Sequence, residues 1–276
     1  MKLAQILTLL QSEPLLCDNS YRAALLELFN QHAHLSRDEF AVARTGKNKS
    51  GEAIECDEAE VQDGVCIIPV GGPMGIGLGE FEKGAGAVDM DDIGADLDEA
   101  EASNDVENII LNFDSPGGTV QGTFELCDKI MAVHKPIYSF SRGLMCSAAY
   151  AAASATDGIF STKSATVGNI GVYTTYLDLS QAASKQGIAV KVFSSGPIKG
   201  AGVPGTALTL EQQNFIQQRV MGMARMFYEH VKERRPGIKD DDMGGQYFSG
   251  DEAGTRGFVD GLVSDLGELV SQLRSS

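Results

Sequence analysis

From residue 64 onward the chain alternates short apolar runs with stretches of helical spacing, and few folds accept that alternation. The runs are GVCIIPV (64–70), ENIILNFD (107–114), PIYSFS (136–141), DGIFS (157–161) and IAVKVFSS (188–195). Each is too short for a stable helix and apolar almost throughout, which is the pattern of a strand covered on both faces. Between them lie an acidic helix over 91–104, a helix that follows SPGG and ends near Val133, and a helix beginning at Ser147. A long amphipathic helix comes later. There Thr209 and Gln212 form a capping box, and Phe215, Ile216, Val220, Met223, Phe227 and Val231 fall on one stripe. Strand and helix in turn predict an α/β core with a largely parallel sheet. Residues 71–87 read as a mobile Gly-rich loop. Residues 1–42 read as mostly helical and 43–63 as a polar linker, so a domain border is expected between 63 and 64, with one domain over 64–276.

Charge excludes some partners. With 22 basic and 38 acidic residues the net charge is −16, which repels phosphate backbones and anionic lipid, so neither nucleic acid nor membrane is expected as a partner. The N-terminal apolar stretch is broken by Gln5, Gln11, Glu13 and Pro14, unlike a signal peptide, and no run approaches a membrane span. Cys17, Cys56, Cys66, Cys127 and Cys146 are odd in number and lack metal-site spacing, as in a reduced, cytoplasmic protein. DMDDIGADLDEA (89–100) resembles a calcium loop only superficially, since Ile93 and Ala100 stand where oxygen ligands are needed. No metal or cofactor is expected.

Acyl transfer needs a nucleophile, a base and donors for an oxyanion, and three stretches could supply them. DSPGG (114–118) follows a buried run and precedes a helix, so its glycines can present free N–H groups; a plain turn is the competing reading. In LMCSAAYAAASATD (144–157), Ser147 opens a small-residue helix, where a serine is more often a cap than a nucleophile. The thiol of Cys146 beside it is the alternative, although free cysteine is usually a small buried hydrophobe. In VFSSGPIKGAG (192–202), Lys199 could act as a base only if burial held it neutral. His32, His34, His134 and His230 each read as surface residues poorly placed to serve a serine. That favours lysine over a histidine triad.

Together these stretches resemble the signal peptide peptidase A (protease IV) family and its phage relatives, the prohead or head-maturation proteases. The matching segments are DSPGG (114–118), CSAAYAAASA (146–155), VGNIGVY (167–173), SGPIKG (195–200) and SGDEAGTRGFVDGL (249–262). The resemblance implies a Clp protease/crotonase-like α/β fold and a serine endopeptidase with a Ser-Lys dyad. Ser147 would be the nucleophile and Lys199 the base; the apolar run leading to Lys199 and the lack of a usable histidine predict that its amine is buried and neutral. The N–H groups of Gly117 or Gly118, with that of Ser147, would form the oxyanion hole.

Two departures stand out. The nucleophile context is Ser147-Ala148-Ala149-Tyr150 rather than Ser-Gly-Gly-Tyr, and Asn169 replaces the usual serine that orients the lysine. An amide oxygen can take over that role. The MCSA context and the leading segments fit the phage branch best, which implies scaffold, portal or capsid proteins as substrates and a homo-oligomeric enzyme. A cytosolic signal-peptide-peptidase-like protease, an acyl-CoA enzyme of the same fold, and an inactive head-assembly protein remain as alternatives.

Overall fold

The computed structural model describes residues 15–17, 58–84 and 86–274. Of the expected helical segment 1–42, only β1 (Leu15–Cys17) lies among them, and it is a strand. The remainder of that segment, with His32 and His34, lies outside the described residues.

The chain divides into two compact units. Among the described residues, one consists of 16–17, 58–84, 86–171 and 227–274, the other of Leu15 and 172–226. In the larger unit, β2 (Glu60–Gln62) runs antiparallel to β3 (Val65–Gly71), so residues before the expected border at 63/64 already belong to the sheet. The stretch 71–87, expected as a mobile loop, instead carries β4 (Met74–Gly75) and the short helix α1 (Glu80–Gly84), and β5 (Val88–Asp89) follows it directly. Next come α2 (Met90–Ala102), β6 (Asn108–Ser115), β7 (Gly117–Thr119), α3 (Thr123–Ala132) and β8 (Ile137–Cys146). They are followed by α4 (Ala148–Ser154), β9 (Gly158–Ser161) and β10 (Thr166–Gly168).

The main sheet runs β11-β10-β8-β6-β3-β2, where β11 is Tyr247–Ser249, and β9 also pairs with β8. The β3–β6–β8–β10 ladders are parallel, as the apolar runs predict, and only the β2 and β11 edges are antiparallel. Ile109, Ile110 and Leu111 are all fully buried, because helices and C-terminal segments cover both faces. On one face Val65, Ile67, Ile110 and Phe140 pack with Val263, Leu269 and Val270. Strand β8 carries β9 along Tyr138–Ser141 and β10 along Leu144–Cys146. β4, β5 and β7 join β1 in a separate four-stranded sheet.

In the smaller unit the described elements are α5 (Ser180–Lys185) and the first part of α6 (Leu210–Arg234), which crosses the division at 226/227. The run IAVKVFSS, expected as a strand, is not one. Ile188, Val190 and Val192 are exposed, and Phe193 is 93% exposed. Apolar, β-branched composition favours a strand only where a neighbour offers a ladder, and none of the described strands pairs with this run. The larger unit resumes with β11, α7 (Gly250–Thr255), β12 (Gly261–Leu262) and α8 (Leu266–Leu273).

Candidate active site

Because β6, β8 and β10 are parallel, their carboxyl ends share one edge of the sheet, where open α/β sheets bind ligands. The segments leaving that edge are SPGG after β6, Ser147 after β8 and Asn169 after β10. In the β6–β8 register Ser115 pairs with Met145, so Gly117 and Ser147 each stand two residues past a matched pair.

Ser147 has φ 58° and ψ −118°. Positive φ is strained in any residue with a Cβ, and such strain persists only where the surroundings enforce it. A sharp turn of this kind between a strand and a helix lifts a side chain off the sheet edge, which is how hydrolase elbows present a serine. Although Ser147 occupies the N-cap position of α4, its hydroxyl makes no capping bond. The cap reading therefore fails. The Ser147 N–H, expected in the oxyanion hole, instead donates to the Gly168 carbonyl at 2.8 Å, extending the β8–β10 ladder. That corrects the expectation. The next amide is that of Ala148, at the first position of α4, where no carbonyl within the helix can accept it.

The SPGG turn is fixed from several sides. Gly117 has φ 102°, and its N–H donates to the buried Ser115 hydroxyl at 3.2 Å. A Cβ on Gly118 would lie 1.9 Å from the Met74 carbonyl oxygen, so only glycine lets β7 pair with β4. The Asp114 carboxylate accepts from Leu144 N at 3.0 Å, fastening this turn to the strand that leads to Ser147. A Cβ on Gly143 would stand 2.3 Å from that same carboxylate oxygen. Behind β4, the buried Asp89 carboxylate accepts from the amides of Gly77, Leu78 and Asp91 at 3.2, 2.6 and 3.0 Å. It holds the turn after β4 and caps α2 with one side chain. Sequence reasoning gives Asp89, Asp114 and Gly143 no part in this turn; a single acid after a Gly-rich stretch, or the D of DSPGG, is the available signal.

All seven residues of α4 are buried, and five are alanine, which lets this helix sit deep in the unit. Tyr150 is enclosed, with its hydroxyl donating to the Phe258 carbonyl at 2.9 Å and its pKa raised by burial. His230, expected at the surface, is half-buried. Its Nε2 donates to the Ala151 carbonyl at 3.0 Å, its ring meets Phe124 edge-on, and burial lowers its pKa. Four residues on, Arg234 reaches the carbonyls of Ser154 and Ala155. This pair serves the carbonyl end of α4, where a cation suits the helix dipole. His134 is exposed and held to Glu101 at 2.8 Å. Cys66, Cys127 and Cys146 are buried and free of disulfides, with burial raising the thiol pKa of Cys66 and Cys127. Cys146 lies within 3.5 Å of the Thr166 carbonyl. Among the described residues no cluster could hold a metal ion.

Asn169 also has positive φ, 55°, and its N–H donates to the Gln246 carbonyl at 2.6 Å. Asparagine is enriched several-fold at positive φ, so the backbone gives an independent reason for its presence where a serine was expected.

Lys199 lies in the smaller unit, on the loop between Ser194 and Gly200. It is exposed in the single chain, against the expectation of burial. The Ser194 hydroxyl lies 2.7 Å from the Gly196 carbonyl and 2.5 Å from that of Lys199 itself. Gln212 Nε2 donates to the Pro197 carbonyl at 2.8 Å. The Thr209–Gln212 capping box expected from the sequence is present in both directions.

Comparison with known proteins supplies the family. The model of the Clp protease family matches residues 87–167, in keeping with the α/β, mostly parallel architecture. The chain is 30% identical over 192 residues to the head-tail preconnector protein GP5 of Enterobacteria phage P21, covering 69% of this chain and 38% of that protein. To the capsid assembly protease C of Escherichia phage lambda it is 30% identical over 216 residues, 76% of this chain and 49% of the relative. Protease 4 of Salmonella typhi is 24% identical over 197 residues, 69% of this chain and 32% of that one. The chain thus spans less than half the length of each of these relatives. The model of peptidase family S49 matches residues 129–274, more than half of the chain and the stretch that holds both Ser147 and Lys199. The chain belongs to peptidase family S49.

Proposed function

We propose that this chain is a serine endopeptidase in which Ser147 attacks the peptide carbonyl and Lys199 accepts its proton. As the Ser147 Oγ–carbon bond forms, the carbonyl oxygen takes the negative charge, and the N–H groups of Ala148 and Gly118 stabilise it, that of Gly117 being given to Ser115. Collapse expels the amine, to which Lys199 returns the proton. Water, deprotonated by Lys199, then releases the acyl group from Ser147. Asn169 is the proposed partner that orients the lysine amine.

The observation that carries this reading is the strained, uncapped Ser147 at the carboxyl edge of a parallel sheet, beside a glycine turn held by Asp114. A lysine works as a base when desolvated. Because Lys199 is exposed in the single chain, its cover would come from bound substrate or from self-association. The relatives named for capsid assembly and for the head-tail preconnector support scaffold, portal or capsid proteins as substrates, processed by a homo-oligomer in the host cytoplasm or inside an immature head. None of the described helices is long and apolar enough to cross a membrane.

Hydrolysis of fluorescently labelled casein tests the reading. Ser147→Ala and Lys199→Arg should each lose roughly a thousandfold or more of the rate. Wild-type activity should rise with pH as the amine sheds its proton. Turnover retained by Ser147→Ala would overturn the nucleophile, and turnover retained by Lys199→Arg the base.

A further inference from the structure

Gln212 stands at the third position of α6. A capping box accepts Glu or Gln there, since it needs only an oxygen for the N-cap amide. Gln212 Oε1 meets that need, accepting from Thr209 N at 3.0 Å while Gln212 N donates to Thr209 Oγ1 at 3.2 Å. Elsewhere in the chain the same task falls to glutamate. Glu252 accepts from the N-cap amide of Ser249 at the start of α7, and Glu268 from Ser264 N, one residue before the N-cap Asp265 of α8. What glutamine adds is a donor, and that donor reaches the Pro197 carbonyl at 2.8 Å. The two partners also fix the amide's orientation, because an N–H can only donate and a carbonyl can only accept.

Pro197 lies two residues before Lys199, between Gly196 and Gly200, in a loop with no strand or helix of its own. Ile198 lines a cavity with Leu210 and Phe215 of α6, so the loop rests on the start of that helix. The Ser194 hydroxyl closes the loop upon itself through the Gly196 and Lys199 carbonyls. Gln212 is its side-chain tie to the helix.

We propose that Gln212 is a positioning residue for Lys199: one amide caps α6 and anchors the lysine loop to the capped end. The proposal rests on Lys199 being the base. Reacting groups held by a loop lose rate steeply when misplaced, by about 100-fold for a shift of 1 Å.

The test compares rates of labelling by a fluorophosphonate across pH, with thermal unfolding measured on the same samples. Gln212→Glu keeps the capping acceptor and removes the donor. Thr209→Ala removes the cap hydroxyl and leaves the donor. The expected result is that Gln212→Glu unfolds at the wild-type midpoint but labels about 10- to 100-fold more slowly, with a shifted pH midpoint, whereas Thr209→Ala unfolds earlier and labels at the wild-type rate. Wild-type rate and pH midpoint in Gln212→Glu, with Lys199→Ala unlabelled, would overturn the tie alone. Equal losses in Gln212→Glu and Thr209→Ala would reduce Gln212 to a cap and also overturn it. Labelling of Lys199→Ala at the wild-type rate would overturn the base, and the tie with it.

Discussion

Ser147 shows how a single backbone conformation separates a cap from a proposed nucleophile. Its φ of 58° turns the side chain away from the amides that a cap would serve, while its own N–H is consumed by Gly168. The proposed oxyanion donor is therefore one residue on, at Ala148. The sequence could not reveal this, because it depends on the β8–β10 register rather than on residue type. Two neighbouring residues allow tests at the same scale. In Gly118→Ala the new Cβ would sit 1.9 Å from a main-chain oxygen that cannot step aside. We expect a loss of at least about 2–3 kcal/mol in denaturant unfolding; a variant as stable as wild type would mean that β4 and β7 do not pair as described. Asp89→Asn keeps one acceptor but turns an N–H₂ toward an amide that needs one. We expect a loss of about 1–3 kcal/mol, and an unchanged unfolding midpoint would contradict the role given to that carboxylate.

Among elements, β8 and α4 decide where the site lies. β8 changes partner from β9 to β10 along its length, and it is the second half that aims Ser147. The apolar runs forming β3, β6, β8 and β9 were legible in the sequence because a parallel strand covered on both faces needs apolar side chains on both. IAVKVFSS has the same composition and forms no strand, since composition cannot say whether a neighbouring strand exists. The alanines of α4 permit close burial, so Ala152→Leu should overpack the helix and cost about 1–3 kcal/mol of stability, read by chemical denaturation. His230, which serves the carbonyl end of α4, adds a pH dependence. Burial holds its imidazole below the ordinary 6.5, so the fold favours the neutral form. Its contribution is complete above that ordinary value and drains away as pH falls through it toward the lowered one. Wild type should therefore lose more thermal stability between pH 7 and pH 5 than His230→Gln, which keeps a donor for Ala151. Equal losses would remove His230 from the account.

At the scale of the whole molecule, the proposed nucleophile and the proposed base belong to different compact units, and sequence reasoning served them unequally. The larger unit was readable because SPGG, Ser147 and Asn169 each follow a buried strand, and parallel strands deliver their ends to one edge. The loop of Lys199 was readable as a motif but not in its surroundings. Its expected burial was inferred from an apolar run that turns out exposed, and its ties to Ser194 and Gln212 run through side chains that no periodicity marks. The central claim concerns the pairing of Ser147 with Lys199, and intact-protein mass spectrometry after incubation with a fluorophosphonate reaches it most directly. Wild type should gain a single adduct that is absent from both Ser147→Ala and Lys199→Ala. An unmodified, folded wild type, or an adduct that survives in either variant, would contradict the Ser-Lys assignment.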